Sequence, residues 1–242
     1  NLSGLTILNE QYGLVTGDGI RRIDLKSLNN VRIKNERLLC FYNSIIYNGK
    51  VLSNDTYKDE SKVKYYDVNE LIAAKEGEAP AVTELDIIQK QKINFVLAKD
   101  GNVYTLESAD NGCNIVKIKN DFTLEKVFAN FQPAKGPYHS SPTIGMVASE
   151  TENIIYLVST DGAIYKYILG DSDPLKAPFI AAESGVSITA PLQLNQQSGE
   201  LYVTYTEERK DESKIVVYSK DGKVLHTVDC GESVPSQILF NN

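Results

Sequence analysis

Asn153-Ile-Ile-Tyr156-Leu-Val158 is the stretch that decides the fold, because similar stretches occur at Gly101-Asn-Val-Tyr104-Thr-Leu106 and Gly199-Glu-Leu-Tyr202-Val-Thr204. In each copy a turn-forming residue stands three positions before a tyrosine, and strand-forming residues follow it. Tyr12 and Tyr47 mark two looser copies, so that successive tyrosines are 35, 57, 52 and 46 residues apart. A period of this size is typical of repeat architectures, whose units bury their apolar faces only against one another.

Turn signals divide the rest of the chain into short strands. Asp-Gly or Asn-Gly pairs stand between strand-forming runs at Asp18-Gly19, Asn48-Gly49, Asp100-Gly101, Asp161-Gly162 and Asp221-Gly222. Such pairs predict tight two-residue hairpins, whose turns need positive φ. Helical spacing is confined to 68–75 and 121–130, where we expect at most one helical turn each.

Superimposing the copies predicts four strands per unit, most clearly at 144–149, 154–159, 164–169 and 179–182 of the fourth unit. The second unit is looser, with strands at 38–42, 45–53, 63–68 and 82–86, and the innermost strand of the fifth unit is expected at 191–195. We therefore predict an all-β fold, a β-propeller of four-stranded antiparallel blades, as a single domain over residues 1–242. We expect five blades, with six as the alternative. The tail from Val234 to Phe240 is predicted to pair in the first blade and close the ring.

Composition narrows the classes of partner. The net charge is −7 and the 25 basic residues are scattered, which argues against nucleic acid, since its phosphates are bound by clustered Lys and Arg. No run approaches the ~20 apolar residues of a membrane helix, so we expect no transmembrane segment in this chain. Cys40, Cys113 and Cys230 have no metal-site spacing and are interpreted as buried apolar residues, with a single disulfide as the alternative.

Common catalytic motifs are not found in the sequence, and there are two histidines, so no catalytic residue, metal or cofactor is predicted. His226 is expected on an exposed outermost strand. Candidate ligand-binding residues come instead from loops expected at the mouth of the central channel. They are Tyr138 and His139, in a loop between two prolines, and Asp18, Tyr57, Asp161, Glu207 and Arg209, between second and third strands. The alternative is that these loops are solvated hairpin tips.

Two stretches carry a resemblance to a known group. Ile144-Gly-Met-Val-Ala-Ser149, followed by Asn153 to Val158 and Ile164-Tyr-Lys-Tyr167, resembles blades of YncE-like and quinoprotein-like propellers. The ending Gly231-Glu-Ser-Val-Pro235-Ser-Gln-Ile-Leu-Phe240 is similar to the start of an innermost strand in that group. The residue usage resembles Bacteroidetes-type surface or periplasmic lipoproteins associated with outer-membrane nutrient importers.

The resemblance implies a non-catalytic, exported protein at the cell surface or in the periplasm. It would be anchored to the outer membrane through a segment upstream of residue 1. Its partner would be an importer or another lipoprotein, and a peptide or glycan is a further ligand class. The alternative is a propeller-type lyase or hydrolase with its site at the channel mouth.

Overall fold

The chain folds almost entirely into β-strands. The computed structural model describes residues 4–17, 19–34, 44–54, 61–78, 80–89, 94–134, 145–171, 175–207, 212–233, 235, 238 and 240. In this part of the chain five sheets follow one another along the sequence, and each is built from consecutive strands. The all-β prediction is confirmed. No helix among these residues has the length and apolar character that crossing a membrane requires.

Two compact units divide the chain. The first comprises Asn1–Phe95, Leu106–Ser108 and Asn120–Thr123, and the second comprises Val96–Thr105, Ala109–Lys119 and Leu124–Asn242. A single domain over residues 1–242 stays a prediction.

The first unit contains two four-stranded sheets. The first sheet has the order β1 (Gly4–Ile7), β2 (Tyr12–Gly17), β3 (Gly19–Asp24), β4 (Asn30–Lys34). The second has the order β5 (Ile45–Tyr47), β6 (Lys50–Asn54), β7 (Ser61–Asp67), β8 (Val82–Gln89). A short helix, α1 (Val68–Ala73), follows β7 and matches the helical turn expected at 68–75. The side chain of Asp67 caps this helix by accepting hydrogen bonds from the backbone N–H groups of Asn69 and Glu70.

The other three sheets belong to the second unit, except that residues Leu106–Ser108 of the third sheet belong to the first unit. The third sheet comprises β9 (Val96–Leu97), β10 (Val103–Ala109), β11 (Gly112–Ile118) and β12 (Leu124–Phe131). The fourth comprises β13 (Met146–Ala148), β14 (Ile154–Val158) and β15 (Ile164–Ile168). The fifth comprises β16 (Val186–Ile188), β17 (Gln193–Leu194), β18 (Leu201–Glu207), β19 (Ser213–Tyr218) and β20 (Val224–Gly231).

Each unit has an apolar core formed where neighbouring sheets pack face to face, as the repeat predicted. The core of the first unit joins the first two sheets and α1, through Leu8, Leu14, Ile20, Ile33, Val51, Tyr66, Leu71 and Ala74. A core in the second unit joins the fourth and fifth sheets, with Tyr156, Val158, Ile164, Leu201, Val203 and Tyr205 among its members. The tyrosines that marked the repeat at 104 and 156 are 2% exposed, so that packing explains their recurrence.

Three of the hairpin turns are longer than the two-residue turns that the sequence predicts. Asn48 and Gly49 have φ of 47° and 72°, and Tyr47 pairs with Lys50, which makes a two-residue turn. This turn divides the strand expected at 45–53 into β5 and β6. At Asp100-Gly101 only the glycine has positive φ, and its N–H donates to the carbonyl oxygen of Ala98 at 2.9 Å. This pattern is a type I turn followed by a left-handed glycine, a three-residue connection. The same bonds occur at Gly162 and Gly222, so the two-residue prediction was wrong for these three pairs.

Several strands also differ from the prediction. Residues 121–130 are not helical, because most of them form β12, whose ladder with β11 outweighs the weak helical spacing. The fourth strand expected at 179–182 is reduced to one bridge between Ile164 and Ile180. The innermost strand of the fifth sheet is split, because β16 and β17 both pair with β18. The strand expected at 38–42 lies outside the described residues.

The described residues of the C-terminal tail do not test whether the ring closes. The backbone N–H of Ile238 donates to Oε1 of Gln193 at 2.7 Å, and the ring of Phe240 packs against Tyr202 with centroids 5.0 Å apart. These described tail residues therefore contact the fifth sheet. Pairing of the tail with the first sheet, and the number of blades, stay predictions.

Two further expectations concern single residues. Cys113 is buried, as predicted, whereas Cys230 is half-buried, and both are thiols. Cys40 lies outside the described residues. His226 lies exposed on β20, the outermost strand of the fifth sheet, which confirms its predicted position.

Candidate functional site

A polar cavity of about 400 Å³ lies in the second unit between the third and fourth sheets. It is formed by the turn between β9 and β10, by parts of β10, β11 and β12, by Asn153 just before β14, and by Tyr167 of β15 with the residues that follow this strand. The lining residues are Asp100, Tyr104, Lys117, Glu125, Lys126, Val127, Asn153, Tyr167, Leu169, Gly170 and Asp171. A volume of this size suits a small ligand.

Asp100 is the centre of the polar network in this cavity. Its Oδ2 accepts a hydrogen bond of 2.8 Å from the hydroxyl of Tyr104 and lies 2.9 Å from Nζ of Lys117. Its Oδ1 accepts a hydrogen bond of 3.1 Å from the backbone N–H of Asn102. Burial alone would raise the pKa of Asp100, but the hydrogen bonds from Lys117, Tyr104 and Asn102 together lower it. Asp100 is therefore held as a carboxylate.

Tyr104 is held as a neutral donor. Two effects raise the pKa of its hydroxyl well above the usual value. Burial is the larger one, and the hydrogen bond to Asp100 is the second. The ammonium group of Lys117 also lies 5.8 Å from the centre of the Tyr104 ring, within reach of a cation–π attraction. Lys117 thus contacts both the carboxylate and the aromatic ring, which fixes the three side chains together.

Tyr167 and Glu125 extend the polar lining. Burial raises the pKa of Tyr167, opposed in part by the backbone N–H of Gly170, which hydrogen-bonds the hydroxyl. Glu125 lies 2.8 Å from Nζ of Lys119, and the hydrogen bond from that ammonium group lowers the pKa of Glu125. Asp100 and Glu125 are therefore held as carboxylates, and Tyr104 and Tyr167 as protonated phenols.

This pattern favours binding over proton transfer. A general acid or base works best when its pKa is near the working pH, and such residues usually have a carboxyl pKa raised toward 7. In the cavity the carboxyl pKa values of Asp100 and Glu125 move the other way. Among the described residues, no group of three or more His, Cys, Asp or Glu side chains is placed to hold a metal ion.

Two of the residues that the sequence nominated for a channel-mouth site are described. Asp161 lies in the turn between β14 and β15, where its carboxylate accepts hydrogen bonds from the Ser159 hydroxyl and, at 3.1 Å, from the Ala163 N–H. Both hydrogen bonds lower the pKa of Asp161, and the bond from Ser159 has the larger effect. Glu207 is the last residue of β18, and its N–H donates to the carbonyl oxygen of Glu212 at 3.0 Å.

The other five nominated residues, namely Tyr138, His139, Asp18, Tyr57 and Arg209, lie outside the described residues. A binding site at the channel mouth therefore stays a prediction. Asp161 itself does not line the cavity, because Asn153 precedes β14 and Asp161 follows it, which places these two residues at opposite ends of this strand.

Sequence reasoning did not find the Asp100 network. The available signal was the spacing Asp100-Gly-Asn-Val-Tyr104, which lets a turn carboxylate accept a bond from a tyrosine at the start of the next strand. The same spacing occurs at Asp161-Gly-Ala-Ile-Tyr165, yet there the carboxylate bonds to Ser159. Lys117, which comes from the next strand of the sheet, distinguishes the two positions.

A match over nearly the whole length identifies the family. Residues 4–241 match the family described as a domain of unknown function, DUF5074. The chain belongs to this family. No curated protein shows a significant match to this DUF5074 chain.

Solved structures similar to the DUF5074 chain include β-propellers and enzymes. The β-propeller domain of Cps50 (Swd1) from Myceliophteria thermophila is 11% identical, with 98% of this chain and 75% of that chain covered and a TM-score of 0.58. Prolyl oligopeptidase B from Galerina marginata is 12% identical, with 94% and 35% covered and a TM-score of 0.58. Virginiamycin B lyase from Staphylococcus aureus is 14% identical, with 94% and 69% covered and a TM-score of 0.49.

At these identities the likeness shows the fold alone, and the predicted β-propeller is confirmed. These similarities support the DUF5074 family and the propeller fold, and the YncE-like and quinoprotein-like resemblance stays a prediction. A kinship with lipoproteins of Bacteroidetes-type bacteria also stays a prediction.

Proposed function

We propose that this DUF5074 protein is a non-catalytic β-propeller that binds a small polar ligand in the cavity beside Asp100. We propose further that it is exported and acts as an accessory lipoprotein of an outer-membrane nutrient-uptake complex. The first part rests on the geometry of the cavity, and the second on the resemblance carried by the sequence.

The single observation that carries the binding role is the pinned Asp100 carboxylate. Three donors, from Tyr104, Lys117 and Asn102, hold it in one orientation. A site whose charged groups are already oriented loses little conformational entropy when a ligand arrives. The same bonds keep the pKa of Asp100 low, which suits an acceptor for a ligand's N–H or O–H group rather than a general acid.

The chemistry of the lining indicates the class of ligand. Carboxylate, ammonium, amide and phenol groups surround the cavity, and its aliphatic lining comes from Val127 and Leu169. A ligand rich in both donors and acceptors can satisfy such a surface, whereas an apolar ligand would leave those groups without partners. A short peptide or a glycan fragment has this character.

A binding experiment with a matched control tests the proposal. Asp221, like Asp100, precedes the glycine of a three-residue turn. It belongs to a different turn, however, and does not line the cavity. Wild type, Asp100→Asn and Asp221→Asn would be titrated calorimetrically with peptide and glycan libraries. We expect Asp100→Asn to weaken binding at least about tenfold, because it loses a charge-assisted bond, and Asp221→Asn to bind as wild type.

Two results would contradict the proposal. Equal binding by both variants would exclude the cavity as the ligand site. Turnover of the bound molecule by the wild type would favour the alternative, a lyase or hydrolase.

The accessory role needs its own experiment. The tagged full-length precursor would be purified from its native envelope, and co-purifying proteins would be identified by mass spectrometry. We expect stoichiometric recovery of an importer or another lipoprotein. Recovery of the chain alone would contradict the accessory role and leave the binding role to the titrations.

A further inference from the structure

Tyr167 is a residue of the cavity whose hydrogen-bonding capacity is not used up within the protein. Its side chain is 3% exposed and lines the cavity, so the part that stays open faces the cavity. Its hydroxyl oxygen accepts a hydrogen bond from the backbone N–H of Gly170. Within the described part of the chain no acceptor takes the hydroxyl hydrogen, whereas the Tyr104 hydroxyl donates to Asp100. The Tyr167 O–H group is therefore a donor that a ligand can use.

Acceptors lie close to this donor. The carboxylates of Glu125, Asp100 and Asp171 belong to residues that also line the cavity. Burial is the largest cause of the raised pKa of Tyr167, and the negative charges of these three carboxylates add to it. A ligand group beside Tyr167 therefore meets a hydrogen-bond donor and, nearby, carboxylate acceptors.

The lysines of this part of the third sheet do not favour an anionic ligand. Lys117 lies directly opposite Glu125, so the two side chains share the face of the sheet that borders the cavity. The ammonium groups of Lys117 and Lys119 are already paired with Asp100 and Glu125, at 2.9 and 2.8 Å. Lys126 follows Glu125 on β12 and therefore projects from the opposite face. A ligand carboxylate or phosphate would thus compete with existing ion pairs.

A hydroxyl group matches this arrangement of donor and acceptors. A hydroxyl accepts a hydrogen bond through its oxygen and donates one from the same atom. An ammonium group or an amide N–H cannot accept the Tyr167 hydrogen, and an amide carbonyl cannot donate to a carboxylate. A peptide backbone therefore needs two groups where a hydroxyl needs one atom.

We propose, on the basis of the binding role inferred above, that the ligand of this cavity is a neutral carbohydrate. One sugar hydroxyl accepts the hydrogen bond from Tyr167 and donates to a carboxylate of the lining, Asp100 or Glu125. Further hydroxyls of the sugar satisfy the other polar groups of the cavity, and a neutral ligand leaves the two lysine–carboxylate pairs intact.

Binding measurements with matched sugars test the class of ligand. Wild type would be screened on an array of neutral, acidic and amino oligosaccharides together with short peptides, and the strongest neutral binder would be titrated calorimetrically. The uronic acid counterpart of this sugar should bind at least about tenfold more weakly, because its carboxylate competes with the existing ion pairs. The affinity for the neutral sugar should be nearly independent of salt concentration.

Two tyrosine variants test the contact itself. Tyr167→Phe removes the donor, and we expect it to weaken binding of the neutral sugar about tenfold. Tyr156→Phe is the matched control, because Tyr156 is similarly buried but projects from the opposite face of the fourth sheet, into the core shared with the fifth sheet. This control should bind as wild type, and circular dichroism would confirm that both variants are folded.

Deoxy analogues of the sugar complete a double-mutant cycle. For the analogue that lacks the contacting hydroxyl, the loss of affinity should be smaller with Tyr167→Phe than with wild type, because the variant has already lost that contact. Equal losses for every analogue would show that no sugar hydroxyl depends on Tyr167 and would contradict the proposal.

Two further outcomes would overturn the carbohydrate proposal while the binding role stands. One is a peptide that binds wild type and loses affinity with Asp100→Asn, when no neutral glycan on the array binds. The other is a sugar bound equally by Tyr167→Phe and Tyr156→Phe but more weakly by Asp100→Asn. Equal binding of the sugar by wild type and all three variants would place the ligand outside the cavity and contradict both proposals.

Discussion

Tyr104→Phe removes one hydroxyl and tests whether the Asp100 network stabilises the second unit. The lost bond is 2.8 Å long and joins a buried phenol to an ionised carboxylate. Hydrogen bonds to charged groups contribute about 1.5–3 kcal/mol, and we expect the lower end, about 1.5 kcal/mol, because Asp100 keeps Lys117 and the Asn102 N–H. For a chain of this size the melting temperature should fall by about 3–6 °C, measured by differential scanning calorimetry.

Tyr202→Phe is the matched control. Tyr202 occupies the equivalent position of the repeat on β18, and its hydroxyl bonds to Oε2 of Glu200 at 3.2 Å. This bond is longer and its environment more exposed than that of Tyr104, so the expected loss is about 0.5 kcal/mol. Equal losses at Tyr104 and Tyr202 would refute the special role of the Asp100 network.

The pH dependence of the same variant gives an independent test. The pKa of Asp100 is lower in the folded chain than in the unfolded chain, where it is about 3.9. The stabilisation from ionised Asp100 is therefore complete above that value and is lost as the pH falls through the folded pKa. The difference in stability between wild type and Tyr104→Phe should shrink on going from pH 7 to about pH 3. A constant difference would contradict the reasoning.

Four further changes are testable by urea unfolding. Gly112→Ala should cost about 3 kcal/mol, since φ is +125° and the new Cβ would lie 2.6 Å from the Phe131 carbonyl oxygen. Gly49→Ala has the strain of positive φ but open space around it, so we expect about 1 kcal/mol; an equal cost at both glycines would show that the clash is relieved. Asp67→Ala should cost about 1 kcal/mol through loss of the α1 cap. Leu71→Ala, at a fully buried position, should cost about 3 kcal/mol, and hydrogen exchange should place the losses at both α1 positions in the first unit.

The strands were the most predictable part of the fold. The stretches around Tyr104, Tyr156 and Tyr202 form β10, β14 and β18, as expected for short runs of strand-forming residues that follow turn-forming residues. Turn geometry was predictable only where both residues take positive φ, as at Asn48-Gly49. An Asp-Gly pair is compatible with two turn types, and the bonds around Gly101 select the longer one.

The candidate site was harder to predict because it depends on contacts between sheets. Asp100 and Lys117 are 17 residues apart, and Asn153 and Tyr167 come from the next sheet. Periodicity assigns each of them to a strand or turn but does not determine which strand ends meet. The residues that were predicted instead, at the channel mouth, belong to loops that were chosen because they are long or charged. Long, charged loops are as typical of solvent-exposed turns as of functional sites.

The sequential order of the sheets has a consequence for biosynthesis. Since each sheet in the described part of the chain uses only consecutive strands, none of these strands waits for a partner from a distant part of the polypeptide. During synthesis, each of these sheets can form its hydrogen bonds as soon as its last strand has emerged, which limits the time for which strand edges are available for aggregation. A truncated product ending after residue 89 would therefore already contain every strand of the first two sheets.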